Sequence, residues 1–337
     1  MKIVVDAFGG DNAPLQVIKG ASMAAKELGV EIILTGDKKK IVSCAEENKI
    51  SLIDLEIYDA GSVISMENDP TDILKEKSDS SMAVAFKLVA DGVADAFVSA
   101  GSTGAVVVGG SLIVKRLKGI KRAALGTVLP SKNGSFMLMD VGANADCRPE
   151  MLAQFGIMAS AYLKNVVGIE NPGIGLLNIG TEETKGDELR LKSYNLLKNS
   201  PVNFIGNVEA RELTEDVCDA CITDGFNGNV TLKLYEGVSL SIMSMFRDVF
   251  KQSLKNKIAA SVLMPGLVKL KAKFDYSEVG GAPLLGLKKP VIKAHGSSNA
   301  AAIKNAIKQA KLFVENDVTT AITNGLAEFE KVEQNEI

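Results

Sequence analysis

Histidine and cysteine are scarce in this chain, and their scarcity removes several chemistries at once. A single histidine, His295, among 337 residues leaves no set of imidazoles to hold zinc, and no carboxylates cluster at metal-ligand spacing, so no metal is expected. The four cysteines, Cys44, Cys147, Cys218 and Cys221, are too few for a disulfide framework and fit a reducing cytoplasm. Cys218 and Cys221 form a CxxC, but it lies in an apolar run without the usual partners of redox or zinc motifs, and reads as buried core. Charge of one sign is lacking too. Against 41 Asp+Glu stand 38 Lys+Arg, a formal net charge of -3, so no global field recruits nucleic acid, although local basic patches remain. No apolar run is long enough to cross a bilayer, and MKIVVDAFGG passes from Met1 into a strand-like run without a signal-peptide core, so a cytoplasmic protein is expected. Neither GxGxxG after a strand with a downstream acidic partner nor GxxxxGK[ST] occurs, so a dinucleotide or nucleoside triphosphate lacks its cradle and no organic cofactor is expected.

What the chain does have is alternation. Short apolar runs at 2–5, 31–34, 55–58, 96–99, 136–141, 175–179, 203–205, 218–223 and 291–294 read as buried strands. Helical patterns lie between most of them, at 15–28, 80–91, 149–164, 188–198 and 298–314. This predicts a three-layer α/β/α fold with a mostly parallel sheet, in which ligands collect at the carboxyl ends of the strands. No linker or repeat divides the chain, so residues 1–337 read as one catalytic unit, with a helical arm over 236–275 protruding from it.

Polar glycine segments punctuate the strand ends: AFGGDNAP, SAGSTGA, DVGANAD, NIGTEETKGDE, GNVEARE, ITDGFNGNVTLK, VGGAPLLG and AHGSSNA. In a parallel sheet these would converge on one edge, with backbone open to a ligand and Ser, Thr and Asn supplying neutral hydrogen bonds. Ser102 and Thr103, and Ser297 and Ser298, open helices and suit a small oxyanion such as phosphate; simple N-capping is the alternative. His295, at a strand end beside a glycine and two serines, is placed for proton transfer or oxyanion stabilisation, and no GxSxG elbow points to an acyl-enzyme. Lys185 lies in a glycine-flanked loop where its ammonium could pair with a phosphate or thioester oxygen, or with Glu182, Glu183 and Asp187. The turn at 224–229 joins a strand end to a helix N-terminus and offers free N–H groups and a positive dipole end.

Taken in order, VDAFGGDNAP, SAGSTGA, MDVGAN, NIGTEETKG, GNVEARE, TDGFNGNVTLK, GGAPLLG and HGSSNA resemble the phosphate acyltransferase family of bacterial phospholipid synthesis (the PlsX family) over essentially the whole chain. Departures are Phe8 and Asn12, where the family often has Met and His, and Val279, where an aromatic is usual. The resemblance implies an isocitrate dehydrogenase/phosphotransacetylase-like fold, a homodimer, no cofactor, and transfer of an acyl group from acyl carrier protein to inorganic phosphate. Phosphate dianion is a competent nucleophile, so direct transfer in a ternary complex needs mainly positioning and oxyanion stabilisation. The expected phosphate contacts are Ser99, Ser102, Thr103 and Lys185. The expected acyl and oxyanion contacts are Asn144, Gly225, Asn227, Gly228, Asn229, Ser297 and Ser298, with His295 or Lys185 assisting the leaving thiolate and Asp224 orienting one of them.

Acyl carrier protein is acidic, so its dock should be basic. One candidate is Lys115, Arg116, Lys118, Lys121 and Arg122; the other is Lys251, Lys255, Lys257, Lys269, Lys271 and Lys273, which bracket the arm; a solvated face is the ordinary reading of either. Within the arm, Ile258, Val262, Leu263, Met264, Leu267, Val268 and Leu270 read as an amphipathic element on anionic lipid, or as a dimer contact. The resemblance favours peripheral membrane contact, since acyl phosphate passes to a membrane glycerol-3-phosphate acyltransferase. Rival readings are a phosphotransacylase using acyl-coenzyme A and a catalytically idle membrane-associated scaffold. An NAD-linked dehydrogenase of the same fold group is disfavoured by the missing metal-binding carboxylates.

Overall fold

A computed structural model describes residues 1–273 and 280–335. Val279 and residues 274–275 of the expected arm lie outside them, as do the side chains of Lys269, Leu270, Lys271 and Lys273. The strands are β1 (Lys2–Asp6), β2 (Glu31–Gly36), β3 (Leu55–Asp59), β4 (Ala96–Ser99), β5 (Ala124–Pro130), β6 (Ser135–Met139), β7 (Gly173–Asn178), β8 (Asn203–Glu209), β9 (Ala220–Ile222), β10 (Ala282–Leu285) and β11 (Val291–Lys293). They form a single sheet in the order β3-β2-β1-β4-β11-β10-β5-β6-β9-β7-β8.

The sheet is buried on both faces because its strands alternate between two cores. Ile3 and Val5 of β1 enter one and Val4 the other; Ile32 and Leu34 of β2 follow the same rule against Ile33. The first core is covered by α1 (Leu15–Leu28), α5 (Pro149–Tyr162), α6 (Glu188–Lys198), α9 (Ala300–Glu315) and α10 (Val318–Asn335), the second by α3 (Ser81–Ala90) and α4 (Thr103–Gly109). The remaining helices are α2 (Lys38–Glu47), α7 (Gly225–Lys251) and α8 (Leu254–Lys273).

Most pairings are parallel, but β10 runs antiparallel to both neighbours and β5 pairs antiparallel with β6. These reversals correct the expectation that the polar loops meet on one edge. Strands β1, β4 and β11 point one way, while β6, β9, β7 and β8 point the other. The loops therefore gather in two clusters at opposite edges. Two polar segments are also not loops: GGAPLLG carries β10, and GNVEARE is the end of β8 with a single 3₁₀ turn.

Helix α7 links the two edges. It starts after β9, and ten residues on, the Tyr235 hydroxyl donates to the Pro130 carbonyl at the far end of β5 (2.7 Å). Beyond that point α7 stands clear of the body, exposing Leu240, Met245 and Phe246, and α8 exposes Leu254, Ile258, Val262, Leu263 and Met264. The arm thus begins as one uninterrupted helix from Gly225 rather than at 236. The amphipathic expectation for α8 is corrected as well: Val262, Leu263 and Met264 are consecutive and all exposed, and at about 100° per residue they face different directions. Among the described residues no helix is long and apolar enough to cross a membrane.

Candidate active site

The first cluster is built where β1, β4 and β11 end side by side. Asp6 closes β1, Ser99 closes β4 and Lys293 closes β11, with Lys293 in register beside Ser99. Ser99 donates its hydroxyl to Asp6 Oδ2 (2.8 Å) and accepts from the Gly101 N–H (2.9 Å), so this serine holds the SAGSTGA loop and offers no hydroxyl to solvent. Burial raises the Asp6 carboxyl above its usual range, against the lowering effects of the Ser81 and Ser99 hydroxyls, the Phe8 N–H and Lys293. Ser102 is the N-cap of α4, accepting from the Ala105 N–H, as the capping alternative foresaw; Thr103, partly exposed, opens that helix. The AFGGDNAP loop is tied to the AHGSSNA loop: Asp11 N–H donates to the Gly296 carbonyl (2.8 Å), and Asn12 Nδ2 donates to the Ser297 (3.0 Å) and Ser298 (3.3 Å) carbonyls.

Two basic side chains sit at the centre of these ties. Lys293 is 8 % exposed, and its ammonium donates to the Ala100 carbonyl (3.3 Å) and the Ala294 carbonyl. Burial pulls it down to about 8, with Asp11 and Asp6 partly opposing the drop. His295 is exposed, and its Nδ1 accepts from the Ser297 N–H (3.2 Å) and meets the Ser297 hydroxyl (2.8 Å). A backbone donor at Nδ1 assigns the neutral ring's proton to Nε2, which then acts as a donor. Packing lowers the imidazole's affinity for a second proton; Lys293 and Lys233 add to this, and Glu236 and Asp11 oppose it. Lys233 and Glu236 belong to α7, so the helix that leaves the second cluster reaches the first. Beside the histidine, the Ser298 hydroxyl is buried and finds no protein partner, a position a ligand oxygen could satisfy.

The second cluster is locked largely upon itself. Asp140, fully buried after β6, accepts from the N–H groups of Leu125 (3.0 Å), Ala143 (3.1 Å) and Asn144 (2.7 Å). Asn144 spends both amide hydrogens, on Ala123 O and Asp140 Oδ2 (2.8 Å each), so it is not the oxyanion donor expected of it. The 224–229 turn likewise differs from expectation. Gly225 N–H donates to Asn144 O (2.7 Å), Asn227 N–H to Asp224 Oδ1 (2.9 Å) and Gly228 N–H to Asp224 O (2.9 Å). These three groups cap a helix instead of facing a substrate. Its glycines are there for packing: a Cβ on Gly225 would lie 2.6 Å from Asn144 O, and one on Gly228 would overlap the Asp140 carbonyl. Asn227 Nδ2 donates to Asp224 (2.8 Å), and the Asn229 amide lies against Gly142.

Asp224 does not orient Lys185 or His295. Its carboxylate is paired with Arg190, which also bonds Asp187 (2.9 Å). Burial pushes the Asp224 carboxyl up, but Asn227 and Arg190 outweigh it and leave it below the usual range. Lys185 is exposed at this edge, its carbonyl held by Asn178 Nδ2 (3.0 Å). Strands β4 and β7 are six spacings apart, about 29 Å across a flat sheet, which separates the end of β7 leading to Lys185 from Ser99, Ser102 and Thr103. Cys147 also lies here; burial, and next the Asp140 charge, push its thiol up to about 12, so it is no ready nucleophile. Cys218 and Cys221 are buried free thiols. Lys115, Arg116, Lys118, Lys121 and Arg122 are exposed ahead of β5, on the same edge.

Sequence reasoning passed over Lys293, Asp6 and Arg190. Each carried a signal: Lys293 and Asp6 put a charge at the end of an otherwise apolar buried strand, and Arg190, in the first turn of a helix, follows its N-cap Asp187 at helical spacing.

The chain is similar to the phosphate acyltransferase of Clostridioides difficile (strain 630), 46 % identical over 336 residues and covering 99 % of each chain. It is 48 % identical over 320 residues to the phosphate acyltransferase of Caldicellulosiruptor bescii, covering 94 % of this chain and 96 % of that one. In three dimensions it resembles a phosphotransacetylase from Streptococcus pyogenes, with a TM-score of 0.63 at 19 % identity, covering 93 % and 94 % of the two chains. A branched-chain phosphotransacylase from Enterococcus faecalis V583 matches with a TM-score of 0.60 at 15 % identity, over 93 % and 99 %. These structural likenesses establish the fold. The family model described as fatty acid synthesis protein matches residues 1–321, and with relatives this similar over nearly their whole length, the chain belongs to that family.

Proposed function

We propose that this protein is a phosphate acyltransferase that moves an acyl group from acyl carrier protein to inorganic phosphate, releasing acyl phosphate and the free carrier thiol for phospholipid synthesis. The names of its relatives support the reaction class. The observation that carries the site is the first cluster, where a buried ammonium, a neutral imidazole and an unpartnered buried hydroxyl follow one another at the end of β11, beside the ends of β1 and β4.

Lys293 supplies positive charge beneath the phosphate, with Thr103 and Ser298 as neutral donors. A phosphate oxygen attacks the thioester carbonyl, the C–S bond breaks, and the sulfur leaves as thiolate in one ternary complex. His295 Nε2–H donates to the carbonyl oxygen as it gains charge. A thiol of ordinary acidity, near 8.5, leaves without a strong general acid, so a neutral histidine suffices. The half-buried, protonated Cys147 offers no covalent relay, which favours direct transfer. The basic residues 115–122 receive the acidic carrier protein, and the arm supplies dimer and peripheral membrane contacts on the cytoplasmic side. Acyl phosphate would then pass to a membrane glycerol-3-phosphate acyltransferase.

The test is to supply phosphate with either acyl carrier protein thioester or acyl-coenzyme A and to quantify acyl phosphate and released thiol. Faster equimolar release of both products from the carrier protein is expected. A preference for coenzyme A removes the carrier assignment, and no acyl phosphate from either donor removes the reaction.

A further inference from the structure

An acyl group held at the first cluster must carry its hydrocarbon chain onto some nearby surface, and strand alternation decides which face of the sheet that is. Val4, Phe97 and Val291 enter the second core, so two residues later Asp6, Ser99 and Lys293 lie on the same face. Ala282 of β10 stands opposite Lys293 in the antiparallel ladder, where paired Cα atoms are about 5 Å apart, and it too is partly buried against that core. Helix α4 covers this face on one side of Ala282, and α7, through Leu232 and Tyr235, on the other.

Between the two helices the cover is incomplete. Helix α4 leaves β4 and α7 packs on β6, four strand spacings or about 19 Å away, while a helix with its side chains is about 10–12 Å wide. The strip left between them is bordered by apolar groups. Val107 lies one turn beneath Thr103 on α4, Leu232 and Tyr235 are three residues apart on α7, and these three, like Ala282, are only partly buried against the core. Gly110, seven residues after Thr103 and on the same side of the helix, turns towards β10: a Cβ there would lie 2.8 Å from Leu287 Cδ1 and 3.0 Å from Leu284 Cδ2. That contact gives the direction in which Val107 faces, and it closes the strip about 10 Å from Thr103, at 1.5 Å per helical residue. The Tyr235 hydroxyl, bonded to the Pro130 carbonyl (2.7 Å), fixes the opposite wall at the end of β5, two strands from β11.

We propose that this strip between α4 and α7 holds the hydrocarbon chain of the acyl thioester, with Val107 and Leu232 setting the chain length the enzyme prefers. The proposal rests on the acyltransferase reading and places the one part of the substrate that reading leaves unplaced. Chain and carbonyl are within continuous reach, because the strip begins beside Lys293, and Lys233 and Glu236, which flank Leu232 and Tyr235 on α7, act on the His295 imidazole. A second copy of this chain is the rival occupant. A hydrocarbon joined covalently to the reacting carbonyl fits better, since the strip opens at the reaction centre and ends within about three helical turns.

The experiment measures kcat/KM for butyryl and octanoyl thioesters of acyl carrier protein, at saturating phosphate, in the full-length wild type, in Val107→Phe, which fills the strip, and in Leu232→Ala, which removes a wall. Each methylene taken fully out of water is worth about fourfold, so the wild type should prefer the octanoyl donor by about tenfold or more, and each variant should reduce that ratio to about threefold or less. The ratio is internal to each protein, so a variant that is merely less stable lowers both rates and leaves it as it was. Should Val107→Phe fail to fold, Leu232→Ala decides alone. A wild-type ratio near one overturns the proposal. So does a ratio unchanged in the folded variants, including any that lose the dimer, because the strip is then a surface between copies. If no donor yields acyl phosphate, the reaction assignment fails on its own, and calorimetric titration with butyl phosphate and octyl phosphate decides the strip. Tighter binding of octyl phosphate, lost in the variants, upholds it; equal binding of the two overturns it.

Discussion

Lys293 is a buried lysine, and a buried lysine must be compensated or be useful. Its ammonium faces Asp6 from β1, Asp11 from the loop after β1 and His295 from its own strand end, and burial holds it down to about 8. Activity should therefore fall as pH rises through about 8, when the ammonium is lost. Lys293→Arg should move that loss to higher pH, and Lys293→Met should lower kcat/KM for phosphate by at least a hundredfold. Stability carries the opposite signature. The unfolded chain keeps the proton up to an ordinary 10.5 while the folded one releases it at about 8, so the wild type gains stability between those values. The gain is up to about 3 kcal/mol, and Lys293→Met should lack it in urea unfolding at pH 7.5 and 10. By contrast Lys185→Ala, at the other edge, should cost far less activity than Lys293→Met. The histidine was legible in the sequence as a polar residue at a strand end. The lysine was not, because VIK reads as a buried strand and only the fold shows three polar loops closing over its tip.

At the scale of elements, α7 depends on an ion pair that no local pattern shows. Asp224 caps the helix and is buried, and its partner Arg190 arrives from α6, 34 residues earlier. Arg190→Met leaves Asp224 without its cation and should cost roughly 3–5 kcal/mol, measured by urea unfolding. Helices α1 and α6 were legible to the residue, since their apolar spacing and flanking breakers agree. Strands β5 and β10 were not. APLL carries Pro283, which cannot donate to a ladder, and it follows two glycines, so it reads as a loop; ALGTVLP is interrupted by Gly126 and ends in Pro130. These two strands reverse the sheet. Without them the motifs could be identified individually, but not which of them share an edge.

The whole molecule leaves one surface to be covered. Apolar side chains on the outer half of α7 and on several sides of α8 are exposed, more than an isolated chain usually presents in one place. Two chains packing along α7, with the α8 tips turned to lipid, would cover it, and the account predicts a dimer by analytical ultracentrifugation. Phe246→Glu should shift that dimer toward monomer, and Leu263→Glu should abolish sedimentation with anionic vesicles while the dimer persists. Vesicle binding unaffected by Leu263→Glu would assign α8 to the dimer instead.

The central claim is that acyl transfer to phosphate occurs at the ends of β1, β4 and β11. Its most direct measurement is phosphate-dependent acyl phosphate formation from acyl carrier protein thioester by the wild type, His295→Asn and Lys293→Met. The account predicts acyl phosphate equimolar with released thiol in the wild type, and rates at least a hundredfold lower in both variants with the fold intact by circular dichroism. Rates within about twofold of wild type in both variants would contradict it.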